Sequence, residues 1–482
     1  MTDGAAPLDD AAARDLAREL VALAPYDSLA VDGIDLAPAL EQVIFAALRA
    51  GQLRSWSAAA TCARVAGAVL GGLLPDSQIP VRDLLVILLS GVHHQVFAPV
   101  MAALARVAPS SSVGFVRLSR AARDPGLADI PRADRHMRRR FVPALVRLAR
   151  QRSDLQAAFR TTWETRLGAT LGQSLAAHAS DALVRLGIEA VRLDSVLQLA
   201  RPRVVAVYDE INAYARLLPI VARRHGALSL DLPHAEVANP HAVAGVSYDW
   251  MAVFGRRASG VLQAGGVSAD RIVEVGAARF DALLRQSGAT PDSPRRIVMA
   301  AQYQTGAMTG EVRAAILRIA VAAAGAVQPA IVQIRPHPVE SPRAWSAIAS
   351  TTPVPEGVQL RIEDAELHEL LPGAFALLTG WSNSVFEAVI AGVPAISAHV
   401  IPGNPPVSFA AEGIALQATS GEEAAAVATR LTDTAARERV TSSARERLEP
   451  HLGPIDGHAA DRTAALINRL LELAPGSGSP HG

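Results

Sequence analysis

Two short turns carry most of the chemistry this sequence advertises. IVQIRPHPVE sets Arg335 and His337 just past an apolar run, with Pro336 and Pro338 restricting the backbone around them. A permanent guanidinium beside an imidazole can hold a phosphate or a hydroxyl, although the same residues would also serve to close a strand. The second turn lies in AFALLTGWSNSVFEAVIAGVPAI, where Ser382, Asn383 and Ser384 open a helix that stops at Gly392. Ser384 reads as the N-cap, with Glu387 three residues on completing a capping box. Hydroxyls and amides at a helix N-terminus also suit a phosphate, so capping and anion binding are both open. Gln302 and Thr305, in MAAQYQTG, follow the strand RRIVMAAQ, where a first βα turn would meet a nucleotide.

Upstream, the strand PRVVAVYDE ends in two carboxylates, Asp209 and Glu210. Either could act as a general base on an acceptor hydroxyl, or simply cap the helix that follows. His234 in DLPHAE also ends a strand and is a third candidate base. His93 and His94 follow the apolar run VRDLLVILLSG and read as residues lining a binding cleft.

What the chain lacks narrows the chemistry. It has 482 residues and no lysine, so all 46 Lys+Arg residues are arginine. Schiff-base catalysis and a Walker A loop are thereby excluded. No G-x-G-x-x-G follows the first strand of either half, which disfavours a dehydrogenase. The single cysteine, Cys62, allows no disulfide framework, and His93 and His94 have no cysteine or carboxylate at ligand spacing, so no metal site is expected. Forty-six acidic residues balance the arginines, which argues against a nucleic-acid coat. The apolar runs are too short to span a bilayer, and the acidic start MTDGAAPLDD lacks the basic and apolar regions of a signal peptide, so a cytoplasmic setting is expected.

Such residues need a frame that presents strand ends. Apolar spacing of three and four makes residues 1–80 a helical N-terminal extension. Short strands then alternate with helices over 81–284, including a helix from about Phe97 to Arg106 and an Arg-rich helical insertion at about 132–185. DALLRQSGATPDSPR reads as an interdomain linker. The alternation restarts over 295–474, and the Gly/Ser/Pro tail 475–482 should be disordered. The expected fold class is α/β, with two doubly wound domains facing a cleft and ligands at the strands' C-terminal ends.

The order strand–His-Pro, then strand–Ser-x-Ser–helix–Gly-x-Pro, resembles the GT-B glycosyltransferases of bacterial surface polysaccharides. These include the polysialic acid and Kdo transferases and the CDP-glycerol glycerophosphotransferases. VFGRRASGVLQAGGVSADRIVEVGAARFD is similar to their interdomain signature, and PIDGHAADRTAALINRLLE to their closing helix, which crosses back toward the first domain. The resemblance spans about Val204 to Leu473. It implies that His337, Ser382 and Ser384 bind the phosphate of a CMP-, CDP- or UDP-linked sugar and that Glu387 grips the nucleotide sugar. Asp209 or Glu210 would stand at the general-base position. Many members carry Gln-His-Gly where this chain has Pro233-His234-Ala235, and Ile211 stands where their acidic motif ends in glycine. The implied reaction is metal-independent and inverting, with no cofactor beyond the donor and with a glycan, lipid-linked or small-molecule acceptor. A lipid-linked acceptor would bring the chain to a membrane face, with Arg138–Arg152 as the contact to test. The rival expectations are a glycerol- or ribitol-phosphate transferase, an enzyme of the UDP-N-acetylglucosamine 2-epimerase type, and a GT-B-like binding module without catalysis.

Overall fold

The computed structural model describes residues 8–24, 29–50, 53, 57–73, 78–89, 91–118, 127, 129–209, 211–233, 235–284, 293–303, 308–337, 340–401 and 407–474. The chain forms two compact units. The first comprises Met1–Val253, Ala258–Val275 and Ala460–Gly482, and the second Phe254–Arg257 and Gly276–Ala459.

The first unit opens with a small antiparallel hairpin, β1 (Ala30–Val31) and β2 (Ile34–Asp35). Its Asp32-Gly33 turn takes positive φ at both residues, 49° and 74°, which matches the twist of the flanking strands. Six parallel strands follow: β3 (Leu84–Leu88), β4 (Val113–Arg117), β5 (Val204–Val207), β6 (Leu228–Asp231), β7 (Trp250–Val253) and β8 (Ile272–Glu274). Their order is β4-β3-β5-β6-β7-β8. β3 and β5 are apolar at every position and buried throughout, as strands covered on both faces must be. The strand order reverses between β3 and β5, so the segments leaving these two strands diverge and leave a crevice at their C-terminal ends.

The second unit repeats the plan with β9 (Arg295–Ala300), β10 (Ala330–Arg335), β11 (Val358–Ile362), β12 (Ala376–Thr379), β13 (Ala395–Ala398) and β14 (Leu416–Ala418). The order β11-β10-β9-β12-β13-β14 reverses between β9 and β12. All pairings are parallel.

The N-terminal helices Asp10–Ala22, Ala37–Ala50 and Ala58–Leu73 belong to the first unit's core. Ala13, Ala17 and Leu20 lie on one helical face and are fully buried in the same cluster as Phe159, Trp163 and strand residues of β3 and β5. Trp163 stacks on Phe159 at 4.7 Å and donates its Nε1–H to the Leu20 carbonyl at 3.0 Å. The helical stretch placed by sequence at about 132–185 is a pair of long helices, Val142–Leu167 and Ala169–Ala200, hinged at Gly168. Within Arg138–Arg152, Arg152 is buried against Asp181 at 2.5 Å and Arg140 pairs with Asp194 at 2.9 Å. The helix drawn from Phe97 begins earlier, at Gly91, and carries His93 and His94 in its first turn.

A buried polar knot fixes these helices. Gln42 Oε1 accepts from Arg14 Nη2 at 2.6 Å and from Arg216 Nη2 at 3.2 Å, and its amide donates to the Ile211 carbonyl. Arg216 also donates to the carbonyls of Ala242 and Ala244 at 2.7 and 3.0 Å. Burial lowers its guanidinium pKa to about 10, so these acceptors justify a charge in the core. Arg216→Met is expected to cost roughly 3–5 kcal/mol in urea unfolding, because three acceptors lose a buried cationic donor.

The final helix, Ala459–Leu473, falls almost wholly in the first unit. There Asp461 pairs with Arg106 at 2.5 Å and Arg462 donates to the Val275 carbonyl at 2.9 Å. The stretch read as a linker, from Asp281 to Arg295, lies inside the second unit, and its residues 285–292 are outside the described ones.

Candidate functional site

In the second unit the candidate residues leave β9, β10 and β12, the strands around the order reversal. Gln302, two residues past β9, spans the reversal. Its Oε1 accepts from the Trp381 N–H at 2.7 Å, and its Nε2 donates to the Trp381 carbonyl at 2.7 Å. One side chain therefore satisfies both backbone polar groups of Trp381 and ties the two loops together. Gly380 is required by this contact, since a Cβ there would lie 2.4 Å from Gln302 Oε1 and 2.8 Å from Ile401 Cδ1. Thr305, the other candidate on this loop, lies outside the described residues.

The capping box expected at Ser384 does not form. The helix runs Ser384–Ile390 with Asn383 at its N-cap, and Asn383 makes no side-chain cap bond. Ser382 Oγ instead accepts from the Ser384 N–H at 3.2 Å and the Ser384 hydroxyl at 2.9 Å. The turn is thus closed by its own serines, one residue earlier than the S-x-x-E pattern suggested. Glu387 is drawn elsewhere, to Arg279 at 3.9 Å.

That pair is loose and partly buried, with 23% and 21% of the two side chains exposed. Burial pushes the Glu387 carboxyl up despite the opposing fields of Arg279, Arg335 and His368, and Glu366 pushes it the same way. Burial likewise pulls the Arg279 guanidinium down, and Arg279 lies 4.5 Å from the Phe280 ring centroid. Burial outweighs attraction on both partners, so the charged form of each is less favoured here than in water.

Arg335, the last residue of β10, turns toward the loop after β11. It pairs with Glu366 at 2.9 Å and donates to the Pro336 carbonyl at 2.9 Å. His337 sits against the ring of Tyr303 at 4.8 Å, while burial and the Arg335 charge lower its pKa, so the ring is neutral at pH 7. Tyr303 itself is 46% exposed, an aromatic face at the edge of this group. Glu340 supports the turn, donating its backbone N–H to the His337 carbonyl at 2.8 Å, with its carboxylate held by Arg313 and the Trp345 indole.

Sequence reasoning assigned no role to Arg279, Tyr303, Glu366 or His368. Arg279 was visible only as the first residue of Arg-Phe-Asp. Nothing in the local sequence connects His368 or Glu366 to Glu387.

In the first unit the described candidates His93, His94 and Asp209 follow β3 and β5, the strands that flank the order reversal. His93 packs on Tyr208 with ring centroids 5.4 Å apart, and His94 on Phe115 at 5.0 Å. Asp209 is buried, and its Oδ1 accepts from the N–H groups of Ile211 and Asn212 at 3.3 and 2.9 Å and from the Asn212 amide at 2.8 Å. Its own N–H donates to Asp231 and its carbonyl accepts from the Tyr248 hydroxyl. Capping of the turn that follows β5 is therefore its visible work. Glu210 and His234 lie outside the described residues.

Two Rossmann-like units, each with its polar residues gathered where the strand order reverses, place the chain in the GT-B fold class. Among solved structures, the S. aureus MnaA–UDP co-structure aligns with TM-score 0.52 at 14% identity, over 83% of this chain and 100% of the other. The UDP-GlcNAc 2-epimerase from Neisseria meningitidis bound to UDP-GlcNAc aligns with TM-score 0.50 at 13% identity, over 81% and 100%. The wall teichoic acid polymerase TagF aligns at 0.48 and 11%, over 86% and 98%. No protein-family model and no curated protein matches the chain. No helix among the described residues is long and apolar enough to cross a membrane.

Proposed function

We propose that the second unit holds the nucleotide half of a nucleotide-activated sugar and that the protein is a metal-independent glycosyltransferase. The observation that carries this reading is that the Gln302-clamped Trp381–Ser384 turn and Arg335–His337 leave the C-terminal ends of β9, β10 and β12, with Glu387 beside Arg279 and within the field of Arg335. Two serine hydroxyls and a neutral imidazole can donate hydrogen bonds to a departing phosphate, and a guanidinium can offset its charge, without a metal ion. A half-buried carboxylate suits the vicinal hydroxyls of a ribose. In the displacement, the acceptor hydroxyl loses its proton to a carboxylate or histidine of the first unit, with Asp209, Glu210 and His234 as candidates. The acceptor oxygen bonds to the anomeric carbon with inversion, and the bond to the nucleotide phosphate breaks. His93 and His94 are proposed to contact the acceptor, a glycan or a lipid-linked or small molecule.

The test is thermal unfolding with UDP, CDP, CMP and GDP. One nucleotide at 100 times its Kd should stabilise the fold by about 2.7 kcal/mol, and Ser382→Ala/Ser384→Ala should abolish most of that shift. A chain indifferent to all four nucleotides is not a nucleotide-sugar enzyme. The 2-epimerase reading is favoured by one observation, the alignment with a 2-epimerase holding UDP-GlcNAc. Incubation with UDP-GlcNAc alone separates the two, since epimerisation proceeds without an acceptor and transfer does not.

A further inference from the structure

The second unit has a cavity of about 600 Å³ at the sheet edge formed by β14, away from β9, β10 and β12. Its apolar lining includes the buried Ile414 and the half-buried Val440, and its polar lining, Gln417, Arg430, Arg439 and Ser443, is exposed. Arg439 and Ser443 are one turn apart on the helix Thr434–Glu446, so both project from the same face. Neither Arg430 nor Arg439 makes an ion pair among the described residues. Glu412, between the lining residues Ala411 and Gly413, is taken by His451 at 2.6 Å and Arg257 at 3.6 Å. A third guanidinium, that of Arg447, lies over Gly413, which lines the cavity with φ +71°. A Cβ at Gly413 would come 2.9 Å from Arg447 Nε, so a side chain here would displace that cation.

We infer that this cavity is a binding site for a small soluble phosphate monoester, separate from the nucleotide site. Arginine is always charged and its planar fork matches phosphate oxygens, the Ser443 hydroxyl and Gln417 amide add neutral donors, and the apolar lining takes the organic part of the ligand. The volume is in the range of small-molecule sites, roughly 300–1,000 Å³.

The cavity wall is also joined to the nucleotide site. Phe409, next to the lining residue Ala410, packs edge-on against Phe386 at 5.1 Å. Phe386 belongs to the helix that begins at Ser384 and also meets the His451 ring, which holds Glu412. The helix Thr434–Glu446 reaches the same element, with Arg445 donating to the Ile390 carbonyl at 3.1 Å.

Calorimetric titration of the full chain with phenyl phosphate and with inorganic phosphate tests the site. Phenyl phosphate should bind at least five-fold tighter than inorganic phosphate. Arg430→Gln/Arg439→Gln should weaken it at least ten-fold, and so should Ala436→Phe, which fills the cavity and keeps both arginines. Ser382→Ala/Ser384→Ala should leave it unchanged. No binding at millimolar ligand overturns the inference, as does binding lost only in the serine variant. Arginine-dependent sedimentation with phosphatidylglycerol vesicles, without phenyl phosphate binding, would overturn it in favour of a membrane contact.

Discussion

Gly380→Ala is expected to destabilise the second unit by about 2–4 kcal/mol, a large effect for one methyl group. The added carbon would meet Gln302 Oε1 at 2.4 Å and Ile401 Cδ1 at 2.8 Å, and moving the Gln302 amide aside releases the Trp381 N–H and carbonyl. The loss combines overpacking with two hydrogen bonds. Gln302→Ala removes the bonds but clears the space, so the double variant should be more stable than the sum of the single losses predicts. Urea unfolding of the four proteins closes the cycle. Additive losses would show that Gln302 is not what the new methyl strikes.

Glu387→Gln should move stability and binding in opposite directions. The carboxyl is pushed above its ordinary value in the folded chain by burial, and that displacement already includes the attraction of Arg279. A group with a raised folded pKa contributes stability that is fully present below its unfolded pKa and lost as pH rises through the folded value. At pH 7 the raised folded pKa of Glu387 therefore costs stability that the amide does not. The variant should melt higher than the wild type at pH 7, with the gap closing as pH falls toward the ordinary carboxylate range. UDP affinity should fall about ten-fold or more, a loss of at least about 1.4 kcal/mol. A variant that melts lower at pH 7 would mean that the pairing with Arg279 outweighs burial after all. A stabilised variant with unchanged UDP affinity would remove Glu387 from the nucleotide site.

The positions of strands were legible because buried parallel strands read as apolar runs closed by polar punctuation. IVQIRPHP and ALLTGWSNS announce β10 and β12 in this way, and Arg335 and Ser382 fall where the runs stop. β14 was not legible, since Leu416–Ala418 is three residues long and carries no pattern. The S-x-x-E motif misled for a related reason. A capping box is a local competition, and here Ser384 is held by Ser382 while Glu387 answers to a cation supplied from Arg279. The N-terminal helices showed their apolar spacing plainly, but not that Phe159 and Trp163 would cover it. Tertiary partners of that kind leave no mark in a helical period.

The knot around Gln42 has a consequence for the way the molecule comes apart. Arg14 and Arg216 share one acceptor, and the same amide holds the Ile211 carbonyl just beyond β5. Opening helix Asp10–Ala22 withdraws Arg14 from the buried acceptor that it shares with Arg216, so its opening is coupled to that of the sheet. In hydrogen exchange, the earliest described helix should keep pace with the slowest amides of β3 and β5, behaving as one cooperative block with strands far along the chain.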